Sequence, residues 1–301
     1  LEIDDQRQLA RVQAGVVWRD LIEQLRSHSL MPRVYPSSAA FSTVGGFVAQ
    51  GGVGIGSFQY GSILDCVDSV RMMGANGDVV ELRDGTLELA VGAQGRTGIL
   101  LDIVMRLQQL ASMEPAVAVF GRAADLELCL ADTARTALPI WSVSMMDRSA
   151  VDLHSKLRAD TFTLLPGRYA VLFSFRRGDR LHVLPRLRGA ILAAGGRLMP
   201  ARDDHDEWVE RFMGLQALGT TPVPMQFQVP LGELAPFIQS IPSELRRRLA
   251  FEGVVADVAR CATVRFFLME RPDPSQDNLA LAHELLRLAK QHGGEAYATG
   301  A

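Results

Sequence analysis

What this sequence lacks removes several classes of function. Only three cysteines occur in 301 residues, Cys66, Cys129 and Cys261, odd in number and never in a CxxC pair. That excludes a disulfide framework and a thiolate zinc or iron–sulfur site. Each cysteine reads as a small buried hydrophobe in a reducing compartment, so the expected location is cytoplasmic. The six histidines (His28, His154, His182, His205, His283 and His292) show no close ligand spacing, and no metal site is expected. No apolar run approaches the roughly 18 residues of a membrane span. The acidic start Leu1-Glu2-Ile3-Asp4-Asp5 lacks the parts of a signal peptide. A net charge of −3 gives no basic footprint for nucleic acid. Neither a Walker loop nor, in the glycine-rich stretch, a GxGxxG fingerprint occurs.

What is present is an ordinary globular composition, 48% hydrophobic and 22% charged, in a length that suits two domains at roughly 150 residues each. Trp18, Leu21, Ile22 and Leu25 fall at i, i+3, i+4 and i+7 and predict one helical face. Seven of the 27 glycines crowd into residues 45–61, which predicts irregular backbone. Val67 to Met73 and Val79 to Leu82 flank an Asn76-Gly77 turn and predict a hairpin, followed by a strand from Ile99 to Leu107. After about residue 112 strand runs alternate with helical periods: strands near 116–120, 140–145, 169–175, 225–229 and 263–269, and helices near 125–137, 183–194 and 278–291. This predicts helices on one face of a mostly antiparallel sheet, and no internal repeat is evident.

The segment from Pro36-Ser37-Ser38 to Gly61 stands out. Its small residues let backbone approach a bulky ligand, and loop N–H groups with hydroxyls can form an anion nest suited to a diphosphate. Glycine-rich loops also serve as plain turns, so the physics leaves both readings open.

The stretches VQAGVVWRDLIEQL, YPSSAAFSTVGGFVAQGGVGIGSFQYGSILDCVDSVRMMGANGDVVEL and VGAQGRTGILLDIVMRL resemble the vanillyl-alcohol-oxidase-type (PCMH-type) FAD-binding oxidoreductases, in the glycolate oxidase and D-lactate dehydrogenase branch. The likeness runs over about residues 3–108. It implies an α+β chain: the second subdomain of a PCMH-type FAD-binding domain at 1–112, then a ferredoxin-like α+β cap domain at 113–301. The segments DEWVERF, MQFQVPLGELAPFI and AKQHGGEAYATG are similar to parts of that cap. The resemblance implies non-covalent FAD held by Pro36, Ser37, Ser38, Ser42, Thr43, Val44, Gly45 and Gly46. The next loop would line it with Ala49, Gly51, Gly52, Gly54, Ser57, Tyr60 and Gly61, and a late turn with Gly95, Gly98 and Ile99. It further implies oxidation of a small hydroxylated substrate such as a 2-hydroxy acid, with an iron–sulfur or second flavin subunit as electron acceptor.

Two departures from the pattern shape the expectations. The family's first subdomain should precede Leu1, so the chain is expected to be a fragment that binds FAD weakly or not at all. The His-rich metal motif of the glycolate and lactate branches is missing. A 2-hydroxy acid needs an arginine for its carboxylate, and Arg265, the odd charge in an apolar strand, is the candidate beside the alternative of an outward sheet arginine. Trp141, Trp208 and Cys66 read as core. The cluster Asp203, Asp204, His205, Asp206 and Glu207 reads as a solvated helix start or a cation site. Two rivals remain: a scaffold that kept the fold without cofactor, and a peptidoglycan-precursor reductase of the same superfamily, which lacks this motif spacing.

Overall fold

The structure, a computed structural model, describes residues 1–157, 167–200, 220–256, 261–269 and 278–299. The chain forms two compact units, Leu1–Ser112 and Met113–Ala301.

In the first unit strands β1 (Glu2–Asp4), β2 (Leu9–Gln13), β3 (Leu30–Pro32), β4 (Val67–Met73), β5 (Val79–Arg83) and β6 (Ile99–Gln109) form one sheet. Its order is β1-β2-β6-β4-β5, with β3 also on β6 and every pair antiparallel. Strand alternation gives this sheet two unlike faces. Ala10, Val12, Val70, Ile103 and Met105 are buried beneath it, as are Trp18, Leu21 and Leu25 of helix α1 (Trp18–Ser27). The other face carries ion pairs: Asp102 lies between Arg11 and Arg71, and Asp68 between Arg83 and Arg106. At the β4–β5 hairpin Gly77 has φ 83° and Asn76 Oδ1 accepts the Asp78 N–H, so the Asn-Gly pair supplies the turn chemistry the sequence promised.

The glycine-rich stretch is less irregular than expected, because two short helices interrupt it, α2 (Val44–Ala49) and α3 (Ser57–Tyr60), and a third, α4 (Ile63–Cys66), follows it. Thr43 Oγ1 caps α2 by accepting the Gly46 N–H. Val44, Phe47 and Val48 are buried, and the Phe47 ring meets Trp18 edge-on at 5.6 Å. That burial outweighs the cost of two helical glycines.

The second unit holds strands β7 (Met113–Phe120), β8 (Ile140–Met146), β9 (Tyr169–Arg176), β10 (Arg197–Met199), β11 (Thr221–Pro230), β12 (Leu249–Ala256), β13 (Cys261–Leu268) and β14 (Glu295–Thr299). Among the described residues its α-helices are α5 (Ala123–Arg135), α6 (Arg148–Leu157), α7 (Arg180–Ala193), α8 (Leu234–Ser240), α9 (Ser243–Arg248) and α10 (Asn278–Gln291). All eight strands join one antiparallel sheet in the order β10-β7-β9-β8-β12-β13-β11-β14.

This order contains a repeat that the sequence reading missed. Strands β7-β8-β9-β10 with α5 and α7 make one ferredoxin-like β-α-β-β-α-β motif, and β11-β12-β13-β14 with α8 and α10 make a second. The copies join through their second strands, β8 and β12, where Met146 faces Glu252 and Ser144 faces Val254. The helix layer crosses the same joint, since Glu127 on α5 accepts the Ala235 N–H at the start of α8. The expectation of helices on one face also needs correction. Val117, Val119, Ala170 and Leu172 point away from that layer and pack with Ala150 and Val151 of α6, so a helix covers part of the second face too. An apolar patch of that size needs a lid.

Asp147 anchors α6. Its buried Oδ1 accepts the N–H groups of Ala150 and Phe251, and burial, only partly opposed by those bonds, lifts its pKa from 3.8 to about 7. The folded chain therefore holds a proton that the unfolded chain has released between pH 3.8 and about 7. Stability falls as pH rises through that window. Asp147→Asn keeps the acceptor and removes the titration, so the stability difference between wild type and variant should shrink below pH 4 and grow toward neutrality, by on the order of a few kcal/mol in urea melts at both ends. In the first unit, Asp102→Ala leaves two arginines facing each other and is expected to cost about 1–3 kcal/mol in the same assay, against less than about 0.5 for the exposed Asp132→Ala.

Candidate functional site

The segment between β3 and α2 is held to the first unit by a few backbone bonds. The Tyr35 and Ile55 backbones bond each other, the Trp18 N–H donates to Ser42 O, and the Val44 and Gly45 N–H groups donate to Val16 O and Ala14 O. These bonds leave a defined set of donors unspent: among the described residues, the N–H groups of Ser37, Ser38, Ala40 and Thr43 have no hydrogen-bond partner. All four residues are half-exposed. The hydroxyls of Ser38 and Ser42 touch at 2.5 Å. Four unpaired N–H donors within seven residues, together with hydroxyls and no acidic side chain, are the chemistry that a diphosphate requires. The donor set fits.

The glycines divide into two kinds. Several are demanded by the protein's own packing. A Cβ on Gly45 would meet Ala14 Cβ at 2.6 Å, one on Gly52 the Phe47 ring at 2.1 Å, and one on Gly54 the Tyr35 carbonyl oxygen at 2.3 Å. Gly61 (φ +76°) would strike Asp65, and Gly98 the Met73 carbonyl oxygen. Those residues, with buried Pro36, Val44 and Ser57, hold the loops in place. The side toward solvent carries Ser37, Ser38, Ser42, Thr43, Gly46, Ala49 and Gly51, and in the late turn Gly95 and Ile99, which are exposed, with Gly98 half-exposed. Gly95 has open space around it.

Tyr60 is tied into the unit. Its hydroxyl donates to Gln108 Oε1 at 3.1 Å and the Arg33 guanidinium lies 5.4 Å from its ring centroid. Arg96, unassigned in the sequence, donates through Nε to Ala93 O. Cys66 is buried, with its thiol pushed up to about 12 by burial, and is inert packing.

In the second unit Arg265 lies on β13, directly across from Glu252 on β12 and Gln226 on β11. The same register carries this row on to Met146 and Ala170, and the adjacent row runs Leu172, Ser144, Val254, Thr263, Gln228. Ser142 and Ser174 pair one step further. Most buried polar residues of this sheet therefore share one face; Glu114, across from Phe175, lies on the other. Ser142, Ser144, Ser174, Glu252 and Thr263 are buried on the shared face, Arg265 and Gln226 are half-buried, and Thr263 Oγ1 has no hydrogen-bond partner. The opposite face, with Phe173, Phe175, Val143, Val255, Val264, Phe266 and Phe227, is apolar. Sequence reasoning missed Glu252 and the serines, although the alternation in Trp141-Ser142-Val143-Ser144-Met145 announces a polar face at period two. Trp141 is core, at 1% exposure. The acidic cluster at 203–207 and Trp208 lie outside the described residues, as does the segment DEWVERF. Among the described residues no group of three His, Cys, Asp or Glu could hold a metal ion, and no helix is long and apolar enough to cross a membrane.

The packing reading of the loops has a direct consequence. Gly54→Ala is expected to cost about 2 kcal/mol or more in chemical denaturation, with or without flavin, because the added carbon meets backbone. Gly95→Ala should cost only about 1 kcal/mol, from its left-handed φ.

Residues 1–83 match the family model described as FAD binding domain. D-lactate dehydrogenase of Archaeoglobus fulgidus is 24% identical over 216 residues, 68% of this chain and 48% of that protein. Glycolate oxidase subunit GlcD of Bacillus subtilis is 32% identical over 117 residues, 36% of this chain and 25% of that protein. The chain thus spans about half of the former and a quarter of the latter. A solved structure of alkyldihydroxyacetonephosphate synthase superposes on 98% of this chain and 60% of its own, with TM-score 0.75 at 16% identity. Residues 1–83 are FAD-binding-domain sequence with FAD as its cofactor, and the chain as a whole has the fold of the PCMH-type FAD-binding enzymes.

Proposed function

We propose that this chain is the part of an FAD-dependent oxidoreductase that holds one side of the cofactor and recognises a hydroxylated substrate, in the class of 2-hydroxy acids. The observation that carries the reading is the donor set at Ser37, Ser38, Ala40 and Thr43, which supports a place for the FAD diphosphate. Gly46, Gly51, Gly95, Gly98 and Ile99 leave the cofactor room to approach. When bound, FAD supplies the two-electron acceptor for the substrate's C–H bond.

The chain's own residues do the recognition. Arg265 provides a guanidinium fork for the substrate carboxylate, on a strand whose neighbours Glu252 and Gln226 restrict where that fork sits. The half-buried setting weakens competition from water and strengthens that pairing. The subunit status in the name of the glycolate oxidase relative favours transfer of electrons to a partner subunit, and the reduced cysteines favour a cytoplasmic setting.

Titration of the 301-residue chain with FAD, followed by flavin fluorescence, tests the cofactor site. Quenching that is weak in the 301-residue chain and saturable in the protein extended upstream is expected, and Ala40→Glu, which sets a carboxylate among the donors, should weaken the latter about tenfold or more without unfolding the protein. Absence of any flavin binding, also in the protein extended upstream, would favour a scaffold without cofactor. On flavin-loaded protein, Arg265→Met should slow flavin reduction by 2-hydroxy acids about a hundredfold while leaving the flavin spectrum unchanged.

A further inference from the structure

A buried hydroxyl without a partner is costly, because folding strips its water and returns nothing. Thr263 on β13 carries one. It is 4% exposed, and among the described residues its Oγ1 has no hydrogen-bond partner. The register makes this unexpected. Gln228 on β11 stands directly across from Thr263, but its side-chain amide donates through Nε2 to Cys261 Sγ at 2.7 Å instead. On the other side stands Val254 of β12, whose side chain has no polar atom to offer.

The surroundings of Thr263 differ from a sealed core. Its neighbours on this face are Val254 and Gln228 across the strands, and Cys261 and Arg265 two residues away along β13. All four are half-buried. A short side chain therefore lies beneath a ring of partly exposed ones, and two of these, Gln228 and Arg265, are long enough to turn aside. Away from Arg265 the polar face continues with Ser144 in the row of Thr263, and with Ser142 and Ser174 beyond it.

We infer that Thr263 is a specificity-determining residue, whose hydroxyl bonds a second, uncharged polar group of the substrate while Arg265 holds the carboxylate. The assignment rests on Arg265 being the carboxylate anchor proposed above. Alternate residues of a strand stand about 7 Å apart on one face, so the two anchors together suit a 2-hydroxy acid with a further hydroxyl along its chain, and glycolate or lactate is too short to use both. Glu252, across from Arg265 and diagonal to Thr263, repels a second carboxylate, which sets hydroxylated acids ahead of diacids. Arg265 turning onto the carboxylate uncovers Thr263, and the substrate hydroxyl then supplies the bond that the free protein lacks.

Thr263→Val keeps the shape of the side chain and removes the hydroxyl. In urea melts of the 301-residue chain without ligand, its midpoint is expected to match or exceed that of the wild type, since no bond is lost. A clearly lower midpoint would mean that the hydroxyl is already bonded and would overturn the inference. The second measurement is anaerobic flavin reduction in the flavin-loaded protein extended upstream, with 2-hydroxybutyrate and 2,4-dihydroxybutyrate, which differ by one terminal hydroxyl. The wild type is expected to favour the dihydroxy acid about tenfold or more in the second-order rate constant. Thr263→Val should lose that preference with its rate on 2-hydroxybutyrate unchanged, and Thr263→Ser should keep it. Equal rates with the two acids in the wild type, or a preference that Thr263→Val leaves intact, overturn the inference while the carboxylate anchor stands. Reduction by neither acid overturns the 2-hydroxy-acid reading itself, and this inference with it.

Discussion

Successive side chains of a strand point to opposite faces, and in an antiparallel sheet residues directly across from one another share a face. Both units of this chain are organised by that rule. In the first, the rule separates a face of arginines and aspartates from one of alanine, valine, isoleucine and methionine that α1 and α2 close. In the second, it gathers Ser142, Ser144, Ser174, Glu252, Thr263 and Arg265 onto one face although they are scattered over four strands. A shift of register by one residue in β12 or β13 would turn Glu252 or Arg265 into the apolar helix layer.

The glycine-rich loops show how one sequence feature serves two ends. Gly45, Gly52 and Gly54 are glycine because protein atoms stand where a side chain would be. The tight packing they permit holds the 37–43 segment so that the N–H groups of Ser37, Ser38, Ala40 and Thr43 stay unpaired, while those of Ala39, Phe41 and Ser42 bond to neighbouring carbonyls. Loop rigidity and ligand chemistry are therefore linked, and the donors would be consumed in a loop free to collapse on itself.

Much of the fold was legible locally. The Trp18 helix, the Asn76-Gly77 hairpin, the last helix at Asn278–Gln291 and the strand runs of the second unit follow from periodicity and turn residues. The short helix Val44–Ala49 was not, because its glycines argue against it and only the burial of Val44, Phe47 and Val48 decides otherwise. The duplicated ferredoxin-like motif was hidden for a different reason. Two copies can share strand order and packing without sharing residues, and repetition of that kind leaves no trace along the chain.

By itself the sequence determined the function class to look for: the ordered small residues from Pro36 to Gly61, the want of metal spacing, and one arginine out of place in an apolar strand. These are properties of residue type and spacing, which any chain displays before it folds. Only the tertiary structure decided which loop amides stay unpaired, that Glu252 stands across from Arg265, and that Arg148 reaches Gly121. Each of those depends on residues distant in sequence meeting at one register, and no local pattern encodes a distance across a sheet.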